Sequence, residues 1–93
     1  MHEWGIAQSI IDKVRDAAGQ NKLAAVTKVE INLGSGLGIT VGEFLFCLKA
    51  LTKENALFER CTFVMAEVDA ATASIEAIEG DEQGRNNHGD RTI

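Results

Sequence analysis

Proline is absent from the sequence, basic residues are outnumbered, and only two cysteines and two histidines occur. Without proline there is no proline-built linker to divide the chain, and its 93 residues form one domain. The nine Lys and Arg are scattered against fourteen Asp and Glu, for a formal charge of −5. No basic stripe is available to offset phosphates, which excludes the usual nucleic-acid binder and argues against an anionic membrane surface. Cys47 and Cys61 form no C-x-x-C, so the spacing of a zinc knuckle is missing. They are expected to be reduced thiols. The N-terminus, His2-Glu3-Trp4, is not the basic and then apolar start of a signal peptide. Apolar runs are too short to span a bilayer, and the expected location is the cytoplasm.

What is present is periodic. Trp4, Ala7, Ile11, Val14 and Ala18 recur at helical spacing, with Ile6 and Ile10 widening the stripe, and predict a helix over 3–18. Gly19 reads as its stop. Val29, Ile31 and Leu33 alternate with Lys28, Glu30 and Asn32, which predicts a half-buried strand over 26–33. A glycine-rich loop, Gly34-Ser35-Gly36-Leu37-Gly38, leads to Thr40 and Glu43 at capping-box spacing. Phe44, Leu45, Leu48 and Leu51, with Val41 at the margin, then predict a second helix over roughly 41–54.

Residues 61–68 predict a second strand with Phe63 and Met65 on one face, and residues 73–79 a third. Asp69-Ala70-Ala71-Thr72 joins them as a short hairpin turn. Residues 80–93 are polar and aperiodic, and are expected to be a disordered tail outside a 1–79 domain. The fold class is therefore α/β (α+β). Two helices cover one face of a small three-stranded mixed sheet in the order α-β-α-β-β.

Few residues could carry chemistry. Met1-His2-Glu3 is the sharpest candidate, because a free α-amine, the His2 amide, the His2 imidazole and the Glu3 amide supply nitrogens that close fused chelate rings on one metal ion. Strong in-plane nitrogen donors select Ni(II) or Cu(II). The competing reading is an inert surface histidine near a terminus. The glycine loop follows a strand and precedes a helix, as phosphate loops do, but it lacks the glycine expected at Ile39 and any Gly-Lys-Ser/Thr. It reads as a tight turn. Cys47 and Cys61 are expected to be structural, with no histidine near either in sequence. Asn87-His88-Gly89-Asp90 reads as solvated tail, and Glu76, Glu79, Asp81 and Glu82 as a solvated strand edge.

Met-His-Glu-Trp followed by an aliphatic helix resembles the start of the HypA/HybF family of nickel chaperones for hydrogenase maturation. Val29-Glu30-Ile31-Asn32-Leu33-Gly34, Gly38, the helix through Phe46 and Leu51-Thr52-Lys53, the strand ending Glu67-Val68, and Ser74-Ile75-Glu76 follow the family's order over roughly residues 1–79. The resemblance implies that Met1, His2 and Glu3 bind Ni(II), with His2 the essential ligand. It implies a HypB-type GTPase and a hydrogenase large-subunit precursor as partners, and no enzymatic reaction. Two departures stand out. Where the family carries a zinc loop with two C-x-x-C pairs, this sequence has Asp69-Ala70-Ala71-Thr72, so no structural zinc is expected. Where the family has Pro-Glu, this sequence has Val41-Gly42, with Glu43 one step later. The alternative is an interaction or regulatory module of the same fold that no longer delivers metal. Its sheet edges would be open to a homodimer by pairing or strand exchange.

Overall fold

A computed structural model describes residues 2–84 and 90–93. The chain runs α1 (Glu3–Gln20), β1 (Leu23–Gly34), α2 (Val41–Thr52), β2 (Thr62–Val68), β3 (Ala73–Glu82) and β4 (Asp90–Thr92), with 3-10 turns at Ser35–Leu37 and Ala56–Phe58. Both helices and the mixed sheet follow the expected order, and β4 adds a fourth strand at one edge.

β1 lies inside the sheet, whose order is β2-β1-β3-β4. Its apolar residues explain why. Val29, Ile31 and Leu33 are almost wholly buried, and such a strand needs a partner on each side. β2 pairs with it in parallel, Val29 opposite Phe63 and Ile31 opposite Met65. β3 pairs antiparallel, with Val29 opposite Ile78 and Ile31 opposite Ile75. The expected hairpin is therefore corrected: β2 and β3 flank β1 and do not pair with each other. The turn at residues 69–72 carries the chain over the end of β1 instead. There Gly36 N–H donates to the Ala70 carbonyl at 2.8 Å.

Alternation alone cannot account for the buried set, because Val26 and Val29 are three residues apart and both fully buried. The register of β1 against β3 shifts between Val26 and Lys28, and again between Glu30 and Ile31. Each bulge inserts one residue and flips the inward phase. Thr27 is the extra residue at the first, and Glu76, on β3, at the second. Ile75 and Ile78 thereby both turn inward despite their odd spacing.

α1 contributes Ala7, Ile10, Ile11, Val14 and Ala18 to the core, and α2 contributes Phe44, Cys47 and Leu48. Trp4, expected on the inward stripe, is instead 46% exposed. Its ring lies edge-on to Phe46 of α2. Gly19 does not stop α1, which continues to Gln20 before Lys22 takes a left-handed φ of 57°. At α2 the capping box is formed as its spacing predicts. Glu43 N–H donates to Thr40 Oγ1 and Thr40 N–H to Glu43 Oε1, both at 3.0 Å.

The tail expectation also requires correction. Residues 80–82 continue β3, and Ile93 exchanges backbone hydrogen bonds with Ile78 at 2.6 and 3.1 Å. Gly80, expected to open the tail, lies within β3, where a Cβ would collide with the Ala25 carbonyl. Glycine is what lets β3 approach β1 closely at this point. His88 lies outside the described residues.

Candidate functional site

The candidate site stands where α1 begins. His2 is the N-cap residue, exposed, with φ −110° and ψ −3°, and its carbonyl accepts the first helical hydrogen bond from Ile6 N–H at 2.9 Å. Glu3 follows as the first helical residue and is half-buried. Met1 lies outside the described residues. The burial of Ala7, Ile10 and Ile11 one and two turns later anchors this helix end to the core.

Two features of this backbone have chemical consequences. The first amides of a helix have no intrahelical acceptor, so the Glu3 nitrogen can be used elsewhere without breaking the helical ladder. The angle ψ of His2 is the torsion about Cα–C that relates its own nitrogen to the nitrogen of Glu3. At −3° the two nitrogens are eclipsed and on the same side. A five-membered chelate ring through both requires that arrangement.

Beside the site, Trp4 meets Phe46 of α2 edge-on, with centroids 6.1 Å apart and planes at 76°. Phe46 is 66% exposed. The two rings border an open groove of about 440 Å³ whose other lining residues are Glu3, Gly42, Glu43 and Cys47. The helical stripe counts apolar positions without showing which of them the sheet leaves uncovered, so this aromatic pair was not legible in sequence.

The remaining candidates take structural roles. Cys47 is buried, and burial pushes its thiol pKa upward, with the Glu3 and Glu43 carboxylates adding to the effect. Cys61 is half-buried, and desolvation raises it to about 11. Neither is an activated nucleophile. The glycine loop offers no phosphate cradle: Gly36 N–H is spent on Ala70, and the Thr40–Glu43 box occupies the start of α2. The acids expected to be solvated lie on the sheet's open side and edge with partners. Glu76 accepts from Asn32 at 2.8 Å, Glu79 pairs with Lys28 at 3.3 Å, and Asp81 pairs with Arg60 at 3.2 Å. The Glu79 hydrogen bond and charge, with Glu30 next, raise the Lys28 pKa. Among the described residues no three His, Cys, Asp or Glu side chains gather as a metal-holding group. No helix of the described chain is long and apolar enough to cross a membrane.

Comparison with known proteins bears on the family and the fold. A family described as hydrogenase/urease nickel incorporation, metallochaperone, HypA matches residues 1–77. The hydrogenase maturation factor HypA of Chlorobium phaeobacteroides is 38% identical over 69 residues, which cover 74% of this chain and 60% of that protein. The factor of the same name from Albidiferax ferrireducens is 31% identical over 55 residues, covering 59% of this chain and 49% of the relative. The solution structure of the Ni metallochaperone HypA from Helicobacter pylori shares the fold, with a TM-score of 0.65 at 16% identity over 73% of this chain and 58% of that one. Fold and match together define a small mixed-sheet domain of the kind seen in that solution structure. The chain belongs to the HypA family. It spans about half to three fifths of the length of the relatives it matches.

Proposed function

We propose that the chain binds Ni(II) as cargo at its N-terminus and passes it toward a hydrogenase large-subunit precursor. The α-amine of Met1, the amide nitrogens of His2 and Glu3, and the His2 imidazole form the donor set. The observation that carries this reading is the backbone of His2. A ψ of −3° already places two amide nitrogens as a chelate ring needs them, on a helix end held by the core. Less reorganisation is then required when metal arrives. Each amide that binds loses its proton to water, and strong in-plane nitrogen donors compensate for that cost with Ni(II) or Cu(II). The imidazole binds in its neutral form.

The reading involves no bond-making reaction. It places the protein in the cytoplasm with a HypB-type GTPase as partner, in keeping with its family. By the resemblance the family's zinc loop would fall where this chain has the four-residue crossover at 69–72, and the reading assigns nickel handling to the N-terminal donors.

The test is calorimetric titration of Ni(II) into the untagged chain and into His2→Ala, with absorbance recorded for square-planar nickel. One tight site, weakened roughly a hundredfold or more in the variant while the melting temperature holds, is expected. One residue added before Met1 should have a similar effect. Equal affinity in His2→Ala would overturn the proposal.

A further inference from the structure

The protein has one tryptophan and four phenylalanines. Phe44 and Phe58 are buried, and Phe63 is half-buried in a stacked contact with Phe58 at 6.3 Å. Trp4 and Phe46 break this pattern, standing 46% and 66% exposed. A single exposed apolar residue is ordinary, but two large rings in edge contact across a helix–helix seam make a contiguous patch. Aromatic side chains of this kind are enriched at the centres of protein interfaces, where a few anchors carry most of the binding energy.

The groove beside the rings has a definite charge. Among the described residues its lining holds two carboxylates, Glu3 and Glu43, and no cation. Gly42 keeps one wall low, since even a Cβ there would meet nothing within 4 Å. The chain as a whole carries −5.

We infer that the Trp4–Phe46 groove is a docking surface for a basic, apolar-anchored helical segment of a partner protein. An aliphatic or aromatic side chain of that segment covers the two rings, while flanking Lys or Arg side chains meet Glu3 and Glu43. This is the helix-in-groove mode of recognition, with complementary charge setting partner choice. A second copy of this chain fits less well, because a two-fold contact would bring like carboxylates together. An anionic lipid surface is disfavoured by the same charge. The inference does not depend on nickel and is tested on the metal-free chain.

Trp4, as the sole tryptophan, reports on its own burial. The whole metal-free chain is titrated with a synthetic amphipathic helical peptide carrying leucines on one face and lysines along its flanks, and with the same peptide carrying glutamates in place of lysines. The expected result is a saturable blue shift of Trp4 emission with the lysine peptide only. Phe46→Ser and Glu43→Gln should each weaken that binding, the first by roughly tenfold, and added salt should weaken it further. Gln preserves the capping box, and Phe46 is mostly exposed, so unchanged melting temperatures confirm that folding is not the cause. The inference is overturned by no saturable shift, by equal response to both peptides, or by undiminished binding in Phe46→Ser. A shift that appears when the protein alone is concentrated also overturns it, in favour of self-association.

Discussion

Gly34 lies so close beneath the crossover from β2 to β3 that a Cβ on it would run into the carbonyl oxygens of Thr72 and Ala70. The glycine that reads in sequence as the opening of a tight turn is also a packing residue of the sheet. Gly34→Ala should therefore destabilise the domain by about 1–3 kcal/mol, since backbone atoms on both sides must shift. For a domain of this size, each kcal/mol lowers the melting temperature by about 4–8 °C. Gly42→Ala is the matched control. Nothing lies within 4 Å of its Cβ position on α2, and the substitution should stabilise by about 0.4–1 kcal/mol. Thermal melts of the two variants should move in opposite directions.

Thr40 supplies half of the capping box that starts α2 without the family's proline. Its hydroxyl satisfies Glu43 N–H at 3.0 Å. Thr40→Ala should cost about 1 kcal/mol, because one helix amide loses its acceptor. Glu43→Gln should cost less, since an amide oxygen can still accept from Thr40 N–H. Denaturant midpoints with unchanged slopes would separate this local loss from a change in the unfolded chain.

How far the sequence discloses the fold depends on which periodicity survives. Ala7, Ile11, Val14 and Ala18 on α1, and Val29, Ile31 and Leu33 on β1, are buried as their spacing predicts. The bulges at Thr27 and Glu76 were not legible, because a bulge is chosen by pairing between strands and leaves no local pattern. Nor was the crossover at residues 69–72. A four-residue link between two strands reads as a hairpin unless one knows that β1 takes the place between them. β4 was missed for a related reason: its three residues pair through backbone groups, and their polarity pointed to solvent. At the candidate site, the donor types were visible in His2 and Glu3, whereas the ψ of His2 and the exposure of Trp4 and Phe46 required the tertiary structure.

The two thiols set an alkaline limit on stability. Burial raises Cys61 from its ordinary 9.0 to about 11, and raises Cys47 in the same direction. Between these values the unfolded chain has released thiol protons that the folded chain retains, so folding is increasingly disfavoured as pH rises. Stability from this source is fully present below pH 9 and is lost progressively through pH 11. Melting temperatures should fall across that interval, and Cys61→Ser should flatten part of the fall. Alkylation of the native protein near pH 8 should be slow at both thiols and rapid in urea.

The Glu3 amide is the proposed donor that most sharply separates a backbone chelate from a lone histidine ligand. Glu3→Pro removes that N–H at the first helical position, where proline is favoured and the missing donor has no helical partner to lose. The same change pushes the preceding residue toward an extended ψ, moving His2 away from −3°. Both effects oppose the proposed donor set, while Ala7, Ile10 and Ile11 still hold the helix to the core. The variant should therefore melt within a few degrees of the parent yet lose the square-planar nickel bands. Glu3→Gln retains the amide and the backbone angle, and should retain the bands. If Glu3→Pro bound Ni(II) as tightly as the parent and with the same spectrum, the Glu3 nitrogen would be no ligand, and any site would reduce to the amine and His2. If Glu3→Gln lost binding as well, the carboxylate, and not the amide, would be the donor at this position.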